Sequence, residues 1–278
     1  MEKPRFDPKR FVFGIVFGIV IILSIFLLNI HEFFFISVIL TALSVYEIYG
    51  IFDLTGYKYF ILPEILSILI VFSFAFLKSP DFIFILFLSA FLIFLKNIVF
   101  FKTDSGKSIF IDIFSIFYAG FFISFLLKIL ELSGGKLLLS GGKLLLLLLF
   151  ILVWASDIFA YYGGRHFGKH KLIFSLSPKK TVEGALIGFL SAVLAAFVFR
   201  IVIADYERFT VTSFIILTSV TVIAGMLGDL TESLIKRMGG KKDSGHLIPG
   251  HGGILDRIDS VILAAPVFYY IAAYYLKF

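Results

Sequence analysis

Long apolar windows recur along the whole chain, and short segments rich in charged residues, glycine or proline separate them. A window of roughly 18 or more apolar residues is long enough for a helix to cross a bilayer. Nine windows satisfy this condition, at about 11–29, 33–52, 58–77, 81–101, 108–132, 137–162, 182–204, 209–230 and 258–276. The pattern predicts an all-α polytopic membrane protein of about nine transmembrane helices, with its termini on opposite sides of the membrane.

The composition supports this class of protein. Of the 278 residues, 60% are hydrophobic, 16% are charged, and 37 are phenylalanine. A soluble domain is about 45–50% apolar and about 25% charged, so a soluble globule of this length could not bury so much apolar surface. The first window is too long for the core of a signal peptide, and we expect it to be retained as a span. The chain has no cysteine, which excludes disulfides, thiolate metal sites and cysteine nucleophiles.

The distribution of lysine and arginine predicts the orientation. With the N-terminus in the cytosol, eighteen basic residues fall on the cytosolic side of the predicted spans and seven on the outer side. Cytosolic loops are normally richer in basic residues, so this bias favours a cytosolic N-terminus. Two cytosolic loops are long, about 163–181 and 231–257, and together they hold ten of the 25 basic residues. We expect polar chemistry in these two loops and an N-terminal transmembrane scaffold over residues 1–150.

A charged stripe follows the eighth predicted span. Five polar residues lie at positions i, i+3, i+4, i+7 and i+8, and share one face if the helix continues beyond the membrane: Asp229, Glu232, Ser233, Lys236 and Arg237. Gly239 and Gly240 should then end this helix. Such a stripe alone is typical of a solvated, salt-bridged helix end. The segment from Lys241 to Asp259 changes that interpretation, because it places bases, acids, two histidines and four glycines between two spans. Glycines allow backbone N–H groups to approach an anion closely.

Residues 233–259 resemble the signature of the phosphatidate cytidylyltransferase (CDP-diacylglycerol synthase) family. That signature reads S-x-apolar-K-R, four residues, K-D-x-small, two residues, apolar-P-x-H-G-G-apolar-x-D-R-apolar-D. A chance match of this length is negligible. Every specified position is filled in this chain, by Ser233, Ile235, Lys236, Arg237, Lys242, Asp243, Gly245, Ile248, Pro249, His251, Gly252, Gly253, Ile254, Asp256, Arg257, Ile258 and Asp259.

The earlier long loop resembles the same family through shorter motifs. The family carries an aspartate before an AY pair, then GR-x-FGK, then SP-x-KT-x-EG. The resemblance covers about 150–278. It implies that residues 151–278 form the catalytic transmembrane region. The first 150 residues share only an apolar, multi-span character with the family. The corresponding residues are Asp157, Ala160-Tyr161, Gly164-Arg165, Phe167-Gly168-Lys169, Ser177-Pro178, Lys180-Thr181 and Glu183-Gly184.

The resemblance implies an enzyme of phospholipid biosynthesis. Members of the family join CTP and phosphatidic acid to give CDP-diacylglycerol and pyrophosphate. The expected cofactor is Mg²⁺, either alone or with a second cation. The implied protein is a multi-pass protein of the cell (inner) membrane, with its active site facing the cytosol. Membrane lipids and a second copy of the chain, in a homodimer, are its implied partners, and no nucleic acid is expected to bind.

This chemistry requires compensation of negative charge. The phosphate of phosphatidic acid has a second pKa of about 6, so its attacking oxygen is largely ionised at neutral pH and needs no strong base. A triphosphate repels it, and lysine, arginine and Mg²⁺ must offset that repulsion before attack on the α-phosphorus. Mg²⁺ prefers carboxylate oxygens and uses one or two protein carboxylates. We predict Asp229 and Asp256 as its first ligands, followed by Asp259, Glu232 and Asp157, although each of the five could instead pair with a neighbouring base.

Basic and loop residues complete the predicted site. Arginine would bind phosphates through its planar fork and lysine as a point charge. Lys179 and Lys180 could bind the lipid phosphate or only anionic head groups, and His251 could donate to the leaving pyrophosphate or serve as a structural hydrogen-bond partner. The predicted catalytic residues are Asp229, Lys236, Arg237, His251, Asp256 and Arg257. The predicted substrate-binding residues are Arg165, Lys179, Lys180, Thr181, Ser233, Lys242, Gly252 and Gly253.

Two other functions compete with this one. A protein that uses CTP as phosphoryl donor to a polyprenol or phytol would also have many spans and many basic residues. Its alcohol acceptor needs a general base, however, and the signature above does not belong to such a protein. A transporter for an anionic solute would place charges near mid-membrane, with the eighth span broken at Gly225 and Gly228. Most charge in this chain lies at one face, which favours the enzyme.

Overall fold

The computed structural model of the protein describes residues 8–54, 57–77, 79–100, 105–132, 141–202, 210–247 and 252–276. Within these ranges the chain forms α-helices, two π-helical turns and a two-stranded sheet. One π-helical turn, Ile116–Phe121, joins α5 to α6, and the other, Ile271–Tyr275, extends α10. The helices are α1 Pro8–Leu27, α2 Ile30–Ile51, α3 Tyr57–Phe76, α4 Ser79–Val99, α5 Ser105–Ser115, α6 Phe122–Glu131, α7 Gly141–Phe167, α8 Val182–Val202, α9 Val211–Met238 and α10 Leu255–Tyr270.

Each predicted apolar window coincides with a helix or a continuous helical segment, which confirms the all-α polytopic class. Seven helices of the described chain are long and apolar enough to cross a membrane, and the shorter apolar helices Gly14–Leu27 and Phe60–Phe76 lie in the other two windows. The protein is therefore a multi-pass integral membrane protein. The windows at 137–162 and 209–230 end before their helices do, because a hydropathy window ends at charged residues whereas a helix continues through them.

The end of α9 agrees with the predicted helix stop. Gly239 caps the helix, and its N–H donates to the carbonyl of Ile235 at 3.1 Å. Gly240 has a φ of +68°, a conformation that glycine adopts at little cost. A side chain at position 239 would overlap the backbone of Ile51, at the end of α2. The stop therefore places the polar segment that follows α9 against the N-terminal half of the protein.

A short β-hairpin lies between α7 and α8, where the apolar pattern predicts only a loop. Strand β1 (Lys171–Ile173) pairs antiparallel with β2 (Ser177–Thr181), with Lys171 opposite Thr181 and Ile173 opposite Ser177. The Thr181 hydroxyl accepts a hydrogen bond from the N–H of Gly184 at 3.1 Å, so it caps the first turn of α8. The hairpin is thus held at the start of α8.

Close packing of α9 against α10 brings their polar ends together. At Gly228 on α9, an added Cβ would lie 3.2 Å from the Cβ of Leu263 and 3.2 Å from the Cα of Ser260, both on α10. Small residues at helix interfaces in membranes allow backbones to approach in this way. Gly228 therefore permits the acidic side chains on the facing surfaces of α9 and α10 to meet.

Candidate active site

Three carboxylates converge where α9 and α10 meet. Asp229 and Glu232 lie one helical turn apart on α9, and Asp259 lies on α10. One oxygen from each of these three residues, which we call the acidic group, lies within 4.8 Å of the others. Glu232 is only 1% exposed, and its Oε1 atom is buried without a hydrogen-bond partner in the part of the chain that the structure describes. An unpaired buried oxygen of this kind is costly in a folded protein unless a further group binds it.

Two residues from other helices face the acidic group. The carboxylate of Asp157 on α7 is close enough to interact electrostatically with Asp229 and Asp259. Tyr118, in the π-helical turn after α5, is 2% exposed, and its hydroxyl donates to the carbonyl of Gly228 at 3.4 Å. Helices from both halves of the chain therefore contribute to this region.

A lysine from the hairpin contacts the acidic group. Lys180, on β2, forms an ion pair with Asp229, and both side chains are about 30% exposed. The fold thereby brings a residue of the first long loop to the acidic stripe that precedes the second. By contrast, Lys179 and Arg165 are exposed, at the hairpin and at the end of α7 respectively.

Lys236 lies between two carboxylates. Its Nζ atom is 2.5 Å from Glu232 Oε2 and 2.6 Å from Asp256 Oδ1, and the residue is 9% exposed. A buried lysine with two such partners is neutralised locally and held in one position. Lys236 thus links the acidic group to the beginning of α10.

The second oxygen of Asp256 organises the loop before α10. Asp256 Oδ2 accepts hydrogen bonds from the Ser244 N–H at 3.1 Å, the Ser244 hydroxyl at 2.9 Å and the Gly253 N–H at 2.9 Å. Gly252 has a φ of +84°, and a Cβ there would lie 2.6 Å from the same oxygen. The anion that these glycines approach is therefore a carboxylate of the protein itself.

A carboxylate from α2 contacts the same loop. Glu47 is 2% exposed and accepts hydrogen bonds from the Ser244 hydroxyl at 3.0 Å and from the N–H groups of Ile254 and Leu255, each at 2.8 Å. Sequence reasoning assigned no role to Glu47 or Tyr118. A carboxylate within an apolar span is rare enough to be a functional signal, and this signal could have identified Glu47. Tyr118 has no comparable signal, because an aromatic residue in an apolar window is ordinary.

The other predicted residues occupy varied positions. Arg237 is exposed, and its guanidinium donates to the carbonyls of Lys241 at 2.9 Å and Leu176 at 3.4 Å, so it joins the end of α9 to the hairpin. Arg257 and Lys242 are exposed, whereas Ser233 is 9% exposed on α9. His251 lies outside the described residues.

The arrangement has more negative than positive charge. Besides Glu47, five carboxylates of the C-terminal half meet around the acidic group and the start of α10, namely those of Asp157, Asp229, Glu232, Asp256 and Asp259. Lys180 and Lys236 form ion pairs with them, and Arg257 follows Asp256 directly. Carboxylate oxygens are the ligands that hard divalent cations prefer. The acidic group, with its unpaired Glu232 oxygen, therefore fits a bound cation.

Comparisons with known proteins agree on one family. A family model described as the cytidylyltransferase family matches residues 8–275. The chain is 51% identical over 130 residues to a phosphatidate cytidylyltransferase of Haemophilus influenzae. The matched region is 45% of this chain and 44% of that protein. The chain is 38% identical over 172 residues to one of Thermotoga maritima, covering 61% and 59% of the two chains, and 39% identical over 165 residues to one of Aquifex aeolicus, covering 59% and 58%. The chain spans about half the length of the curated relatives that it matches.

Proposed function

Since the chain belongs to the cytidylyltransferase family, we propose that it transfers the cytidylyl group of CTP to phosphatidic acid, giving CDP-diacylglycerol and pyrophosphate. The observation that carries this proposal is the acidic group beside Lys180 and the signature segment, residues 233–259. This combination of oxygen ligands and cations suits the transfer of a charged nucleotide to a charged lipid head group. Relatives named phosphatidate cytidylyltransferase support the same substrates.

We propose Mg²⁺ as the cofactor, held at the acidic group of Asp229, Glu232 and Asp259, where one or two of these carboxylates would bind the ion directly and water and phosphate would complete its shell. When bound, such an ion neutralises phosphate oxygens and makes the α-phosphorus more electrophilic. The unpaired, buried Glu232 oxygen supports this assignment over the alternative that includes Asp256. Both oxygens of Asp256 already accept hydrogen bonds, from Lys236 and from the loop. In the proposal Asp256 therefore shapes the site, and Asp259 takes its place as a ligand.

Residues of the chain would supply the remaining charge compensation. Lys180 is held at the acidic group by Asp229 and would contact a phosphate that arrives there. Arg257 stands at the first turn of α10, next to Asp256, where its fork could bind the leaving pyrophosphate. In the reaction, an ionised oxygen of the lipid phosphate bonds to the α-phosphorus, while the bond to the bridging oxygen breaks and pyrophosphate leaves. No protein base is needed, because the attacking oxygen is already ionised near neutral pH.

The position of the label in CTP tests the proposal against its competitors. The purified protein in uncharged detergent is given phosphatidate and CTP labelled at either the α- or the γ-phosphate. Cytidylyl transfer moves the α-label into lipid and the γ-label into pyrophosphate. A CTP-dependent kinase, assayed with polyprenol or phytol, would move the γ-label into lipid. An absence of labelled lipid in every reaction would contradict both enzymes and leave the transporter.

The orientation and the cell membrane location belong to the same proposal. The eighteen-to-seven distribution of basic residues supports a cytosolic position for the acidic group. Because the chain has no cysteine, single cysteines can be introduced at positions 179, 242 and 277. An impermeant thiol reagent applied outside intact cells should label position 277 alone. The reverse pattern would overturn the orientation. The homodimer stays a prediction, which mass determination in detergent would test.

A further inference from the structure

We infer that Glu47, in the N-terminal half, is a positioning residue for the signature segment: its buried carboxylate holds the start of α10 and Ser244, and so sets the places of Asp256 and Lys236 beside the acidic group. The inference rests on the proposed function. It assigns part of the site to a helix that the sequence places in the scaffold.

Hydrogen bonds and close contacts fix the position of the Glu47 side chain. Its two oxygens accept three hydrogen bonds of 2.8–3.0 Å from residues about 200 positions away in the chain. Gly245 and Gly253 lie directly against it: a Cβ at Gly245 would be 2.9 Å from Glu47 Oε1, and a Cβ at Gly253 would overlap the carboxylate. These glycines are signature positions, and the space that they leave is filled by this side chain.

The N-terminus of α10 explains why a carboxylate occupies this place. The first N–H groups of a helix have no partner within the helix, and the helix dipole favours a negative charge beside them. No side chain at the cap position of α10 supplies a hydrogen bond. Glu47 fills that role from another helix through the N–H groups of Ile254 and Leu255. These two N–H groups are thus already bound to an anion of the protein and are not available to a substrate phosphate.

Hydrogen bonds continue from Glu47 to the acidic group. The Ser244 hydroxyl lies 3.0 Å from Glu47 Oε2 and 2.9 Å from Asp256 Oδ2, and its single proton is shared between these two carboxylate oxygens. Asp256 then binds Lys236, and Lys236 binds Glu232, at 2.6 and 2.5 Å. Displacement of Glu47 would therefore move the loop and Asp256, and Lys236 would lose its fixed position against Glu232.

The substitution Glu47→Gln tests this role with little change of volume. The glutamine NH₂ would face a donor N–H where the second carboxylate oxygen now accepts, so at least one hydrogen bond at Ile254 or Leu255 is lost. Amide hydrogen exchange at these two residues should become about tenfold faster, the effect of losing about 1.4 kcal/mol of local protection. Misplacement of a site by about 1 Å can cost a hundredfold in rate, so kcat for CDP-lipid should fall about a hundredfold. The KM for phosphatidate should change less than about threefold.

Glu64→Gln is the matched control. Glu64 is a half-buried glutamate on α3, in the same half of the chain, and makes no hydrogen bond to any described residue of the signature segment. Its substitution should leave kcat within about threefold and the exchange at Ile254 and Leu255 unchanged. The inference is overturned if Glu47→Gln matches this control in both kcat and exchange.

Ser244→Ala keeps the test decisive if Glu47→Gln does not fold. It removes the hydroxyl that joins the two carboxylates and leaves the contacts of Glu47 with α10. We expect kcat to fall about tenfold. If the variant that carries both substitutions folds, its kcat should be no lower than that of Glu47→Gln alone, since both residues act through one hydrogen-bond network. Independent, multiplying losses or an unchanged Ser244→Ala enzyme would contradict the inference. If the wild type makes no CDP-lipid, the proposed function fails, while the exchange measurement still decides the role of Glu47.

Discussion

Two carboxylate sites, one in each half of the protein, differ in how their charge is compensated. In the N-terminal half, Asp112 on α5 is 0% exposed and accepts hydrogen bonds from Lys96 at 2.8 and 3.0 Å, from Asn97 at 3.0 Å and from Tyr49. One carboxylate thus meets one cation and two neutral donors. In the C-terminal half, five carboxylates gather around two paired lysines and Arg257, and one oxygen of Glu232 has no described partner.

This difference separates a structural polar cluster from a site that can bind an ion. A buried charge is tolerated when it is paired and hydrogen-bonded, or when it binds a metal. Asp112 satisfies the first condition within the protein itself, and it joins α2, α4 and α5. The acidic group does not satisfy it, and its surplus negative charge is the physical reason for proposing a cation there. Burial of an acidic residue alone therefore says little, and its partners decide the interpretation.

The largest expected effect comes from neutralising the acidic group. Asp229→Asn and Asp259→Asn retain the shape of the side chain and remove its charge, so each should reduce turnover at least about a hundredfold. The folded fraction, measured by size-exclusion chromatography, should stay near that of the wild type. Formation of CDP-lipid at saturating CTP and phosphatidate is the measurement. An Asp259→Asn enzyme that kept most of its activity at ordinary Mg²⁺ would remove Asp259 from the proposed ligands.

The next largest loss of turnover should come from substituting a basic residue of the C-terminal half. Arg257→Lys keeps the charge and loses the fork, and should cost about 2.7–4 kcal/mol in the transition state, about a hundredfold or more in rate. Lys169→Gln and Lys171→Gln change exposed lysines of the first long loop and should lower the rate less than about tenfold, since a surface charge contributes about 1 kcal/mol and is screened by salt. Saturating phosphatidate in uncharged detergent removes simple surface attraction. Equal small losses at all three positions would mean that the basic loops only attract lipid.

The smallest effect on turnover should come from the paired site. Asp112→Asn removes the ion pair with Lys96 at a carboxylate that is fully buried, and breaking a buried pair typically costs about 3–5 kcal/mol of stability. The protein should unfold at a lower temperature in detergent, while the rate per folded molecule stays within about threefold of the wild type. A hundredfold loss of rate in a fully folded Asp112→Asn protein would abolish the distinction between the two carboxylate sites.

Glu47 lies between these two cases. It is buried and hydrogen-bonded like Asp112, yet its partners belong to the loop of the other half. The predicted division into a scaffold over residues 1–150 and a catalytic region over 151–278 stays a prediction. The proposed role of Glu47 would move a part of the site across that boundary.

The sequence by itself determined the features that depend on neighbours along the chain. The apolar windows predicted the helices, since about 20 apolar residues are what a helix needs to cross a bilayer. The helical period predicted that Asp229, Glu232 and Lys236 share one face, and the glycines at 239 and 240 predicted the end of α9. The signature over 233–259 indicated the family, which the comparisons confirm.

Only the tertiary structure decided which of these groups meet. The two oxygens of Asp256 accept hydrogen bonds from Lys236, Ser244 and Gly253, whereas Asp259 faces Asp229 and Glu232. The sequence ranked Asp256 before Asp259 as a ligand, and spacing could not show which of the two faces Asp229, since they lie one turn apart on α10. Glu47 reaches its partners across about 200 residues, and Lys180 reaches Asp229 through a hairpin that no apolar pattern predicts. The physical reason is that helix period and hydropathy are local, whereas the partner of a buried charge depends on how far one helix is rotated and shifted against another.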